Sequence, residues 1–202
     1  MILEGIVTTQ ALDGTLNVAP MGPEVGPGPD LARFTLRPYI TSTTYRNLKG
    51  TGEGVFHVTD DVLLLARAAI GPVVDAPCRP AGQVRGRVLD IPGRYHEFRV
   101  LDLGDRAERT TIRVETVAEG RQARDLFGLN RAKHAVVEAA ILATRLRFLP
   151  LDAILADFDR LAPLVAKTAG PDERLAFALL LDHVRDFARR ESASPPDPAL
   201  ER

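Results

Sequence analysis

The sequence predicts an α+β protein, a mainly antiparallel β-barrel followed by a helical segment. Three observations lead there. Short β-branched runs recur through the first 120 residues, separated by glycine, proline and aspartate turns, the pattern of a small barrel. Asp13-Gly14 sits between the runs Ile2 to Thr9 and Leu16 to Met21, a strong hairpin signal. From about Arg121 onward, strand signals give way to good helix formers. The division that follows is 1–120 for the barrel, 121–191 for a helical subdomain and 192–202 (SASPPDPALER) for a disordered tail.

Taken in order, the second strand of the hairpin carries Asn17-Val-Ala-Pro-Met-Gly22. Its proline and glycine break the strand where another group approaches the backbone closely. Residues 22–30 (GPEVGPGPD) read as loop, without the Gly-Lys-Ser/Thr of a P-loop. A strand from Ala32 to Leu36 ends at Arg37-Pro38, because proline cannot donate to a sheet ladder. Thr41 to Thr44 are all hydroxyl residues, and Tyr45 to Lys49 read as a short helix capped by Ser42 or Thr43 and closed by Gly50. Gly54 to Val58 is a strand, and Asp60 or Asp61 starts an apolar helix, Val62 to Ile70, stopped by Gly71-Pro72. Val73 to Gly82 is a connection. Strands follow at Arg85 to Ile91, Tyr95 to Leu103 and Thr110 to Glu119; alternation from Glu97 to Leu103 predicts one wet face. Helices are expected over Asn130 to Phe148, Leu151 to Lys167 and Asp172 to Arg190.

Composition excludes several function classes. With 26 basic and 27 acidic residues the net charge is -1, so no global field attracts nucleic acid. The single cysteine, Cys78, permits no internal disulfide and no Cys-based zinc site, and His57, His96 and His183 lack metal-ligand spacing. No apolar run reaches membrane-spanning length, and the start of the chain lacks the basic, then apolar, pattern of a signal peptide. The expectation is a soluble cytoplasmic protein without metal.

Two places are candidates for chemistry. A helix N-terminus with unpaired N–H groups attracts an anion, and Thr41, Ser42, Thr43 and Thr44 between Arg37 and Arg46 make a phosphate cradle there. The same residues would equally make a capped turn with solvated hydroxyls. Further on, Arg131, His134, Glu138 and Arg145 fall near one angular position of a helix whose other side carries Ala132, Val136, Ala139, Ala143 and Leu146. That polar stripe faces a ligand or subunit seam, or it is an ion-pair network or a solvated stripe.

The order of these signals, a hairpin with Asn17-x-Ala-Pro-Met-Gly22, a strand, a hydroxyl-rich turn with Thr44-x-x-Asn47-Leu48, then Gly54-Val-Phe-His-Val58, resembles the FMN-binding split β-barrel superfamily of flavin reductases and pyridoxamine-phosphate-oxidase-like proteins. More narrowly, Arg37 to Leu48, Val58 to Asp61 and Gly128 to Arg145 resemble a domain-of-unknown-function family that adds a C-terminal helical segment. The resemblance implies FMN bound at the interface of a homodimer. Its phosphate would lie on Arg37, Thr41, Ser42, Thr43 and Thr44, and its ring along Asn17, Ala19, Pro20 and Met21, with Asn47 completing the motif. His57 stands where such relatives often have Asn. The implied activity is that of a flavin-dependent oxidoreductase, with a non-catalytic FMN- or other phosphate-ligand-binding protein as the alternative. No catalytic residue is assigned; His57 and His134 are the general-acid candidates.

Overall fold

In the computed structural model, residues 1–26, 30–126 and 130–193 are described. The elements run β1 (Gly5–Gln10), β2 (Leu16–Met21), β3 (Arg33–Leu36), α1 (Thr43–Thr51), β4 (Glu53–Val58), α2 (Val62–Ile70), β5 (Cys78–Pro80), β6 (Arg87–Leu89), β7 (Arg94–Gly104), β8 (Thr111–Arg121), α3 (Arg131–Ala143), α4 (Leu151–Thr168) and α5 (Pro171–Ala193). This is an α+β protein with a six-stranded sheet in the order β2-β1-β4-β7-β8-β3 and a separate β5-β6 pair, antiparallel throughout. Beyond β2, Glu24 bridges to Ile2 on one side and to Thr35 of β3 on the other, so the chain leaving one edge strand reaches the opposite edge strand.

Two compact units divide the chain: Met1–Asp61 with Gly71–Gly128, and Val62–Ile70 with Leu129–Arg202. In the first unit, one face of the sheet packs Val7, Phe34, Leu36, Phe56, Phe98, Ile112 and Val114 into a single core, closed by Tyr45 and Leu48 of α1. Phe34 anchors it, with its ring centroid 5.6 Å from that of Phe56 and 5.5 Å, edge-on, from that of Phe98. The other face is covered in part: Val55 packs against Val84 and Val88, with Tyr95 and Val117 half-buried beside them. Every residue of β1 is buried, as expected of a strand covered on both faces.

Several sequence expectations are corrected here. The Val73 to Gly82 connection contains strand β5. Glu97 does not face water: it is 3% exposed, because the loop at 81–86 folds over it. Its carboxylate is satisfied there by the N–H groups of Gly82 (2.8 Å) and Gln83 (2.6 Å). Helix α1 runs through Gly50 and ends at Gly52, whose left-handed φ of 68° lets its N–H close back on the Leu48 carbonyl. Helix α3 stops at Ala143 rather than Phe148. Helix α5 continues to Ala193, and residues 194–202 of the expected tail lie outside the described residues.

The second unit packs α3 against α4 and α2, with α5 on both α2 and α3. Alanines 132, 135, 139, 140 and 143 line the buried side of α3, so its neighbours approach closely. Lys133 and Glu173, both mostly buried, sit 3.7 Å apart, and Glu173 also accepts the Gly170 N–H at 2.8 Å, which fixes the start of α5.

Gly93 sits at φ 111°, and a Cβ there would lie 2.1 Å from the Val58 carbonyl. Gly93→Ala therefore combines a strained backbone with a hard clash, and equilibrium unfolding in urea should show a loss of at least about 2 kcal/mol. An unchanged midpoint would mean that the β4–β7 corner relaxes freely.

Candidate functional site

Pro38 ends β3, and the chain turns through Tyr39 to Thr41 into α1. Ser42 is the N-cap, with extended backbone, and its hydroxyl accepts the Tyr45 N–H at 3.1 Å. The first N–H groups of any helix have no partner within it, so those of Thr43 and Thr44 lie at the positive end of the dipole. Thr41 and Thr43 are exposed beside them. Arg46 folds back over this end, donating from Nη1 to the Thr41 carbonyl (2.8 Å) and from Nη2 to the Thr43 hydroxyl (2.9 Å). A cation at a helix N-terminus works against the dipole. Both sources of positive potential therefore reinforce each other, and an anion relieves both.

Beneath the turn lies a buried polar knot. Thr9 of β1 is fully buried, and Thr44 and Asn47 are 3% and 6% exposed. Asn17 of β2 donates from Nδ2 to the Thr44 hydroxyl (3.1 Å) and to the Thr9 hydroxyl (3.3 Å), and Asn47 donates to the same Thr9 oxygen (3.1 Å). A hydroxyl oxygen has two acceptor positions, and both are used. The knot bolts β1, β2 and α1 together and holds the turn at a fixed place beside β2, an edge strand with β1 on one side only. Ala19, Pro20 and Met21 lie half-buried along that edge, opposite Val7, Ile6 and Gly5.

The structure thus gathers Asn17, Thr41, Ser42, Thr43, Thr44 and Asn47, but in different roles. Thr41 and Thr43 are exposed, the Thr43 hydroxyl accepting from Arg46, whereas Ser42 is committed as the cap and Thr44 and Asn47 to the knot. Arg37 is engaged elsewhere, in an ion pair with Glu24 at 2.6 Å. The cation at the turn is Arg46. A second segment, invisible to local sequence reasoning because it lies some sixty residues away, supports the turn from the other side. Ile40 donates to the Glu108 carbonyl, and Thr110 donates twice to the Pro38 carbonyl, through its N–H and its hydroxyl. Arg109 lies over the Tyr39 ring at 4.8 Å. Tyr45 donates to Asp105 at 2.8 Å, and Lys49 bonds both. Lys49 is accordingly held above its usual range by the Tyr45 hydroxyl and Asp105, and Asp105 below its own by Lys49 and Tyr45.

Neither general-acid candidate stands at the turn. His57 is 1% exposed, with Nδ1 3.3 Å from the Ile6 carbonyl and Nε2 accepting the Leu89 N–H at 3.0 Å, so it is a neutral cross-link between β1, β4 and the residue ending β6. Burial pushes its pKa down to about 4. His134 and Glu138 belong to α3 in the second unit, and both are exposed, so Glu138 needs no buried partner. Among the described residues, no group of His, Cys, Asp or Glu is placed to hold a metal, and no helix is long and apolar enough to cross a membrane.

The family described as "Protein of unknown function (DUF447) N-terminal domain" matches residues 3–123, and its companion, "Protein of unknown function (DUF447)", matches residues 130–182. This chain is a member of the DUF447 family. No curated protein matches it. Among solved structures, an FMN-bound DUF447 protein from Methanosarcina mazei is 22% identical, with a TM-score of 0.79 over 90% of this chain and 94% of that one. An FMN-binding protein from Thermus thermophilus, solved with 1-cyclohex-2-enone, is 14% identical (TM-score 0.52, over 59% of this chain and 70% of that one). Flavoredoxin of Desulfovibrio vulgaris is 12% identical (TM-score 0.51, 60% and 70%). The DUF447 chain thus shares its fold with flavin-binding proteins.

Two outcomes test this geometry. Thr9→Val keeps the volume but strands buried amide donors, each costing about 1–3 kcal/mol, so unfolding in urea should lose about 2 kcal/mol or more. The second concerns acid. His57 takes its proton in the unfolded chain near pH 6.5 but in the folded protein only near pH 4. The stability it supports is complete above about pH 6.5 and is lost as pH falls towards 4, by about 3 kcal/mol for this group. His96 is 2% exposed with neither ring nitrogen hydrogen-bonded, and burial lowers its pKa too, so it acts with the same sign. His57→Gln should flatten the stability profile between pH 7 and 4, measured by urea midpoints; an unchanged slope would place the acid sensitivity elsewhere.

Proposed function

We propose that this chain is an FMN-binding flavoprotein with a split β-barrel, working as a homodimer in flavin-dependent redox chemistry of the flavin-reductase kind. The observation that carries the reading is the anion-seeking turn at the start of α1, bolted by the Thr9–Asn17–Thr44–Asn47 knot to the open edge strand β2. The residues fit the cofactor. A single phosphate would be held by the N–H groups of Thr43 and Thr44, the hydroxyls of Thr41 and Thr43, and Arg46. The isoalloxazine ring would lie along the main chain of Asn17, Ala19, Pro20 and Met21. One compact anion site without a glycine-rich pyrophosphate loop favours FMN over FAD. The FMN-bound family member adds support.

Bound FMN supplies hydride and electron transfer. The chain's own part is to fix the phosphate, orient the ring and keep water from its buried edge. His57, locked neutral between two backbone groups away from the turn, is not placed to give the flavin a proton at neutral pH. A dimer would cover the edge strands, a common answer to unpaired ladder groups. The bridge through Glu24 between the ends of the sheet supports barrel closure. In the division 1–120 and 121–191, the flavin would belong to the barrel part, from which α2 is excepted because it groups with the C-terminal helices. The exposed thiol of Cys78 suits a reducing cytoplasm.

The tests separate phosphate, assembly and turnover. Hydrogen bonds to a charged group are worth about 1.5–3 kcal/mol, so Thr43→Val and Arg46→Gln should each weaken FMN about ten- to a hundredfold, read by flavin fluorescence. Riboflavin, lacking the phosphate, should be indifferent to both. Thr44→Val instead should lower stability, since its hydroxyl serves the knot. FMN binding unchanged in both turn variants would place the cofactor elsewhere. Light scattering should give a dimer at micromolar concentration, and a monomer would remove the interface site. Bleaching of bound flavin by anaerobic NADH or NADPH supports the oxidoreductase; flavin that binds but is never reduced by any donor leaves a non-catalytic FMN-binding protein.

A further inference from the structure

Among the described residues, the ring nitrogens of His96 are the buried side-chain polar atoms left without a hydrogen-bond partner. Native structures rarely leave such atoms unpaired, because doing so costs stability. His96 lies on the core face of β7, two residues from Phe98 and opposite Phe56 of β4. Its partner on the β8 side is Glu119, whose Oε2 stands 3.5 Å from Nδ1 without hydrogen-bond geometry. Next along the same face, Arg94 of β7 is paired directly with Arg121 of β8. Like charges directly opposite each other destabilise a strand pair. Neither guanidinium has a hydrogen bond or an ion pair among the described residues. Elsewhere on the same two strands, Glu53 takes up Arg99 and Asp102 takes up Arg113, so the lack of partners is local.

Two unpaired cations and an orphaned buried ring on one patch share a remedy, a bound oxyanion. Arg121 is exposed, Arg94 half-buried and His96 buried, so the patch opens to solvent on its arginine side. A guanidinium presents a fork of donors matched to carboxylate and phosphate, and a neutral imidazole adds one N–H. Burial, then the Arg94 charge, hold the His96 pKa below its usual value, with Glu119 and Asp30 acting the other way. Donors from three side chains suit tetrahedral phosphate, which offers an oxygen to each, better than planar carboxylate. We propose that Arg94, Arg121 and His96 form a binding site for the phosphate group of a small molecule, with the neighbouring Glu119 carboxylate limiting its affinity. This is not the site assigned above to FMN. Strand β7 lies three strands from β2, about 14 Å along the sheet. Neither Arg46 nor the turn before α1 takes part, so the inference does not depend on the flavin assignment.

Inorganic phosphate and glycerol 3-phosphate are the probes, with glycerol as the uncharged control, titrated into the full-length protein with and without FMN and followed by NMR. Both phosphates should shift the amides of residues 94–96 and 119–121 and the His96 imidazole, and glycerol should not. Tighter binding of the ester identifies an organic phosphate as the occupant, and equal binding the free ion. Arg94→Gln and Arg121→Gln should each weaken phosphate about tenfold or more, the loss of one charge-assisted hydrogen bond. Glu119→Gln removes the competing carboxylate and should strengthen it about two- to fivefold. His96→Leu should weaken phosphate yet raise Tm by about 2–4 °C, since it removes the unsatisfied ring from the core face. Should His96→Leu fail to fold, Arg121→Gln and Glu119→Gln, both at exposed positions, still decide the matter through their opposite signs. FMN affinity, read by fluorescence, should be unchanged in Arg121→Gln, which keeps the two sites distinguishable. A response confined to residues 41–46, phosphate binding indifferent to both arginine variants, or displacement of phosphate by FMN would overturn the site.

Discussion

Everything at the turn depends on one hydroxyl oxygen. The Thr9 hydroxyl, fully buried, receives two amides, from Asn17 and Asn47. Buried polar groups of this kind are unforgiving: satisfied, they specify one arrangement, and half-satisfied they cost more than an apolar core would. Here the arrangement specified is the position of a helix start relative to an edge strand. The helix start must sit where its dipole and Arg46 converge, and the strand must keep one side of its ladder unpaired. Sliding α1 by a single residue would strand the Asn47 amide, so the knot sets register as well as contact.

The second consequence of the fold is a division of labour among positive charges. Arg37 and Arg46 flank the same four hydroxyl residues in sequence, yet Glu24 neutralises the first while the second lies at the helix start with only neutral oxygen partners described. Arg109, stacked on the Tyr39 ring, extends the basic character along the turn. Loop 105–110 keeps that assembly in place through backbone bonds that no change of side chain would remove.

Much of this was legible in the sequence. Asp13-Gly14 marked the hairpin, Pro38 the end of β3, and the run of hydroxyl residues the start of a capped helix; the alanine and valine spacing of α3 marked its buried side correctly. The failures share a cause, since each depends on a partner distant in the chain. Glu97 reads as a wet-face residue until the loop at 81–86 covers it. Gly50 reads as a helix stop because local grammar cannot tell it from Gly52, where the left-handed turn occurs. Arg37 looks as free as Arg46 until Glu24 is brought alongside by the bridge to β3.

Helix α2 carries a consequence for how this protein could have arisen and how it can be dissected. It groups with the C-terminal helices, although the chain on both sides of it belongs to the sheet unit. The backbone therefore passes from one unit to the other after residues 61, 70 and 128, and neither unit is a contiguous stretch of gene. Removing everything beyond residue 128 would not release a smaller β-protein. It would leave Val62, Leu65 and Ala66, now buried in a helix packed on α3 and α5, facing solvent in the middle of the chain. Such a stump is a sticky patch of the kind that drives association. The helical part is thus stitched into the chain rather than appended to it, and any swap between relatives has to exchange two segments at once.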